Sequence, residues 1–151
     1  MVKKLPIRSP AEKVGEIVHF GRMLDKIKAH VGGMLPAEYV PNLGSGFDAR
    51  CTAFLRVDYT RLVELVAQGE SDEKILQWCF ANGRRPQGDE IHIWNEFMRK
   101  CGWDDDITET LIRRKAESGL AERSDIRTMF EYIDADEGRP APKAVRVEQK
   151  T

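Results

Sequence analysis

Ser9-Pro-Ala-Glu-Lys-Val-Gly-Glu-Ile-Val-His-Phe-Gly-Arg-Met-Leu-Asp-Lys-Ile-Lys-Ala-His-Val-Gly-Gly33 is the stretch on which the fold class turns. Serine followed by proline and, three residues on, glutamate is a capping box with proline at the first helical position. Gly32-Gly33 closes the pattern about six turns later. At roughly 100° per residue, Val14, Ile17, Val18, Phe20, Met23, Leu24, Ile27 and Val31 fill one arc of more than half the circumference. The spacing therefore predicts a central helix over residues 10–31, with Asp25 inside its apolar face and His19 and His30 on its polar side as surface histidines.

Outward from this segment the punctuation stays helical. Helices are expected from Phe47 to Val57, from an Asp58 cap to Gly69, and from a Ser71 cap to Gly83. Gln87 to Cys101, Asp104 to Ser118, and Ser124 to about Ala135 follow. No run of strictly alternating β-branched residues predicts a strand. The fold class read from the chain is all-α, a compact bundle of six or seven helices joined by short glycine-containing loops.

The 151 residues suit one ordinary domain, and 41% hydrophobic residues supply a core. The formal charge of −1 conceals a division: residues 1–8 carry +3, residues 138–151 carry +3, and the middle carries −7. The expected organisation is a basic N-terminal arm over 1–8, a single helical domain over 9–137, and a flexible basic tail over 138–151. An acidic body counts against a dedicated nucleic-acid binder, although the basic ends could touch phosphate non-specifically. No uncharged apolar run is long enough to cross a bilayer, and the start has no signal-peptide core, so no membrane partner and a cytoplasmic location are expected. Cys51, Cys79 and Cys101 are odd in number and set in apolar patterns, which predicts reduced, buried thiols.

Asp25 is the first candidate for chemistry. A carboxylate on an apolar face needs a cationic partner, or it takes up a proton and becomes a usable acid or base. The simpler reading is an ion pair with Arg22 or with an arginine from another helix. Asn42-Leu-Gly-Ser-Gly-Phe-Asp-Ala-Arg-Cys51 is a glycine-rich turn feeding a helix, a layout that aims backbone N–H groups at an anion. It lacks the Lys-Ser/Thr of a P-loop, and Asp48 would repel a phosphate, which favours a plain tight turn. If an anion does bind, Arg50 is its clamp and Cys51 a thiol whose pKa a helix start could lower. Trp78, Trp94 and Trp103 could line a pocket, with helix packing as the default, and Asn95 beside Trp94 could be a pocket's polar group. Asn82-Gly-Arg-Arg-Pro86 is a small basic cluster that could contact phosphate. His92 and Glu96 supply only half of a metal-binding arrangement, and no metal or cofactor is expected.

Phe20-Gly-Arg-Met-Leu-Asp-Lys26, Gly46-Phe-Asp-Ala-Arg-Cys51, Trp78-Cys-Phe-Ala-Asn-Gly-Arg84, Trp94-Asn-Glu-Phe97 and Ile133-Asp-Ala-Asp-Glu-Gly-Arg139 together resemble a bacterial domain-of-unknown-function family, that numbered 5069. The resemblance runs from about Ser9 to Arg139. It implies no activity, and it marks Arg22, Asp25, Asp48, Arg50, Trp78, Asn82, Trp94 and Asn95. Ala49 and Thr52 stand where the family pattern has glycine and cysteine, so it implies no paired-thiol role here.

Two functional readings follow. The first is a small-ligand-binding or protein-interaction module, its pocket or surface near Asp25, Asp48, Arg50, Trp94 and Asn95, with a small anionic molecule or a protein as partner. The second is a small cofactor-independent hydrolase, lyase or isomerase, with Asp25 or Asp48 as general acid or base and Arg22 or Arg50 holding an anionic substrate. A homodimer stays open, because Gly15 and Gly21 on the long first helix would permit close helix approach.

Overall fold

The computed structural model describes residues 6–140, and the outer parts of the two basic ends, 1–5 and 141–151, lie outside the described residues. The described chain separates into two units, residues 6–99 and residues 100–140. The expected helical class is found, with one exception at its start.

That exception is Lys13–Val18. In place of helix, Lys13–Val14 (β1) and Ile17–Val18 (β2) pair antiparallel, Lys13 opposite Val18 and Val14 opposite Ile17. The two turn residues between them, Gly15 and Glu16, both have positive φ, 54° and 71°, the primed-turn arrangement whose twist matches that of the strands. Ser9 does not open a helix either: its hydroxyl accepts from the Ala11 N–H at 3.1 Å in a local turn. Val14, Ile17 and Val18 satisfy helical spacing as well as they satisfy a short hairpin, and the β-branched trio with glycine at the turn tips the balance. The helix α1 therefore covers only Phe20–Val31, entered from His19 at φ 72°. Gly15 lies in the turn with its α-carbon facing Leu76, and Gly21 is buried beside Val14 and the Arg8 guanidinium, so both are packed within the chain.

A 3-10 helix, Ala37–Asn42, leads through the glycine turn into α2, Phe47–Leu55. Then come α3, Tyr59–Ala67, and α4, Asp72–Asn82, whose Ser71 cap accepts from the Lys74 N–H at 3.2 Å as expected. α5, Gly88–Lys100, closes the first unit. Its core gathers Ile17, Phe20, Met23, Leu24 and Ile27 with Cys51, Leu55, Leu62, Ile75, Cys79 and Met98, all nearly or wholly excluded from solvent. α1 packs against α2 and α3, and α4 against α3 and β1.

The second unit holds α6, Thr108–Glu117, and α7, Met129–Asp136. The last helix is capped by Thr128, whose hydroxyl accepts from the Glu131 N–H, and not by Ser124. Threonine with glutamate three residues on completes the local cap signal that Ser124 lacks. Lys115 ties down the preceding loop by donating to the Arg123 and Ile126 carbonyls at 2.7 and 2.9 Å. Arg139 pairs with Asp134 at 3.0 Å and Glu137 at 2.6 Å, closing the end of α7.

Candidate functional site

The first unit carries two polar constellations on opposite faces of α2. On the inward face Asp48 is fully buried and both carboxylate oxygens are engaged. Oδ1 accepts from His19 Nε2 at 2.8 Å, and Oδ2 meets Lys26 Nζ at 3.0 Å and accepts from the Gly44 N–H at 3.1 Å. The glycine turn does cradle an anion, and that anion is the chain's own Asp48. Gly46, at φ 57° and ψ −124°, has a conformation that a side chain would strain, and it sets α2 off in this direction.

Burial opposes the charge on Asp48, but the His19 hydrogen bond and the Lys26 ammonium outweigh it and hold the carboxyl below its ordinary range. His19 is pushed the other way: burial lowers its pKa more than Asp48 raises it, with Lys26 and Arg22 adding to the lowering. The histidine is thus neutral, its Nε2–H donating to the carboxylate. Its Nδ1 is buried with no hydrogen-bond partner among the described residues. This corrects the expectation of a surface histidine. The wheel placed His19 on a polar helix face, whereas the residue sits in the left-handed step between β2 and α1, which turns its side chain inward. His30 and His92 are exposed as expected.

Cys51 follows Asp48 by three residues on the same face and is wholly buried. Burial, with Asp48's negative charge and Cys79 alongside, pushes its thiol well up, and burial pushes Cys79 up to about 12. The lowered thiol pKa considered for a helix-start cysteine is reversed here. Both thiols remain protonated, which makes them apolar packing groups rather than nucleophiles.

Asp25 is buried on α1, and its cation is Arg8 rather than Arg22 or a helical arginine. Arg8 Nε and Nη2 donate to the two carboxylate oxygens at 2.8 and 2.9 Å, and the Arg8 backbone N–H adds a third bond at 2.9 Å. Arg8 Nη2 also reaches Asp72 at 2.7 Å, joining the segment before the hairpin to α1 and to the start of α4. Arg22 is buried nearby and donates to the Arg8 carbonyl at 3.1 Å.

On the outward face of α2 lies a groove of about 490 Å³, lined by Arg50, Ala53, Phe54, Arg84, Glu90, Ile93, Trp94 and Phe97. Phe54 and Trp94 stack with ring centroids 4.6 Å apart. The Arg50 guanidinium lies 5.3 Å from the Phe97 centroid and that of Arg84 lies 5.1 Å from Phe54's. Ile93 and Phe97 stand out into solvent at 65% and 48% exposure. Gly83 brings Arg84 to this place: a Cβ there would collide with the Leu55 carbonyl, which accepts instead from the Arg84 N–H at 2.9 Å.

Of the residues singled out from sequence, Arg50 and Trp94 share this groove, whereas Asp48 and Cys51 lie on the inward face of α2 and Asp25 with Arg22 belongs to the Arg8 network. Asn95 latches the hairpin, accepting from the Val18 N–H at 3.1 Å and donating to the Glu16 carbonyl at 2.8 Å, beside the Trp94 indole N–H on the Val18 carbonyl. Trp78 and Asn82 stand on α4, Trp78 under the Arg61 guanidinium and Asn82 exposed, donating to the Trp78 carbonyl. Phe54, Arg84, Glu90, Ile93 and Phe97 were not named as site residues. Arg84 leaves a trace in the basic cluster over residues 82–86, and Phe97 in the Trp94-Asn-Glu-Phe97 motif.

Among the described residues no group of His, Cys, Asp and Glu is placed to hold a metal ion, and no helix is long and apolar enough to cross a membrane. A family model described as a domain of unknown function, DUF5069, matches residues 4–139. No curated protein matches the chain.

Proposed function

We propose, for a chain that belongs to the domain-of-unknown-function family DUF5069, that the groove between α2 and α5 binds a small organic anion and that the protein is a ligand-binding module. One observation carries this reading: two guanidiniums stand over an aromatic floor, and Arg50 pairs with no carboxylate among the described residues. Arginines held against aromatic faces keep their in-plane N–H groups free to grip an anion. The exposed Ile93 and Phe97 offer an apolar surface that a ligand's body would cover. The carboxylates considered for catalysis are already committed, Asp48 to three donors and Asp25 to Arg8, which favours binding over proton transfer.

Titration of the ¹⁵N-labelled chain with 2-naphthoate tests it. Shift changes concentrated at residues 50–54, 84 and 93–97 are expected, and Arg50→Gln should weaken binding about tenfold, the scale of one lost charge-assisted contact. Shifts spread over the surface, or a variant that binds as well as the parent, would refute the groove as the site.

A further inference from the structure

Resting on that reading, we infer that the groove selects a monoanion with an apolar body, a carboxylate, and discriminates against dianions such as phosphate monoesters. The grounds lie in how its two arginines are committed. Arg84 Nη2 meets Glu90 Oε1 at 2.6 Å, so one guanidinium is already neutralised inside the groove. Glu90 is itself fixed: the same oxygen accepts from the Gln87 N–H at 2.7 Å, the return bond of a cap at the first turn of α5. That bond and Arg84 hold the Glu90 carboxyl below its ordinary range, so it is charged at neutral pH.

Among the groove-lining residues this leaves the charge of Arg50 alone unmatched. A single carboxylate satisfies it, in the planar fork geometry that guanidinium prefers. A second negative charge on the ligand would meet Glu90, because the only other cation lining the groove is the one Glu90 already holds. Ile93 and Phe97, both exposed, supply the apolar surface for the ligand's body beside the Phe54–Trp94 stack.

Three probes sharing one ring system separate the outcomes: 2-naphthoate, 2-naphthyl phosphate and the neutral 2-naphthalenemethanol, each titrated by NMR into the full chain. Naphthoate is expected to bind best, ahead of the phosphate by about threefold, the scale of an exposed like-charge contact. Glu90→Gln keeps an acceptor for the Gln87 N–H, so the cap survives, and it should erase that preference by strengthening the phosphate. Tighter binding of the phosphate to the parent, or a preference that persists in Glu90→Gln, overturns the monoanion inference while leaving the groove as a ligand site. Equal binding of the neutral alcohol also overturns it, and no binding of any of the three overturns the functional reading as well.

Discussion

Asp48 and Arg50 stand two residues apart on α2 and face opposite worlds. Asp48 is sealed from solvent with every oxygen engaged, whereas Arg50 lies over Phe97 at the edge of an open groove. Charge inside the fold is matched within the chain: Asp48 by Lys26, with a hydrogen bond from neutral His19, and Asp25 by Arg8. Charge in the groove is left in excess by one arginine. The contrast separates polar groups that hold the structure from those available to a ligand, and it places function where hydrogen-bonding capacity is unspent.

The sharpest way to break the contrast is Asp48→Asn. It removes the carboxylate charge that the buried Lys26 ammonium meets at 3.0 Å, and a loss of about 3 to 5 kcal/mol in unfolding free energy is expected. Adding Lys26→Met should recover a substantial part, because the pair then leaves together. Urea unfolding monitored by circular dichroism measures both. A loss below about 1 kcal/mol for the single variant would mean that Asp48 is not the keystone described.

Gly83 belongs to both sides of the comparison, since its missing side chain lets Arg84 dock on the end of α2. Gly83→Ala should cost about 1 to 3 kcal/mol through the collision with the Leu55 carbonyl. It should also weaken naphthoate binding in whatever fraction stays folded. Parental stability would show that the α4–α5 link is freer than the contact implies.

His19 gives the buried region a pH signature between pH 7 and 5. As pH falls through about 6.5 the unfolded chain protonates this histidine, while the folded chain resists until lower pH. Stability therefore declines below about 6.5, by at most about 1.4 kcal/mol per unit. Asp48 contributes in a lower window: its folded pKa lies below the ordinary 3.8, so its stabilisation is complete above the unfolded value and is lost as pH falls through the folded one. Thermal unfolding from pH 7 to 5 should show the His19 slope, and His19→Gln should flatten it. An unchanged slope in that variant would assign the titration elsewhere.

How much of this is legible in the sequence depends on the distance over which each feature is decided. The Ser71 cap and the stop at Gly83 are local, and they fall where the sequence places them. Asp25 is buried as expected, but its partner lies 17 residues away in a segment that charge alone assigns to a loose arm. The hairpin escapes because Val14, Ile17 and Val18 fit two periodicities, and the choice rests on the turn and on Asn95 from α5. His19 is lost for the same reason, since its burial follows from the left-handed step that ends the hairpin. The groove is half legible. Arg50 reads as an anion clamp from its place in the glycine turn, while Arg84 joins it only through packing of Gly83 on a carbonyl 28 positions earlier in the chain.

The smallest expected effect completes the contrast. Arg50→Gln should change unfolding free energy by less than about 0.5 kcal/mol, because a partly exposed guanidinium over an aromatic ring contributes little and nothing buried is left unpaired. A side chain that is nearly neutral for stability and decisive for naphthoate binding is what an uncommitted ligand contact requires. If Arg50→Gln instead destabilised the fold as Asp48→Asn does, the outward face of α2 would be as structural as the inward one, and the groove would lose its claim to be the functional face.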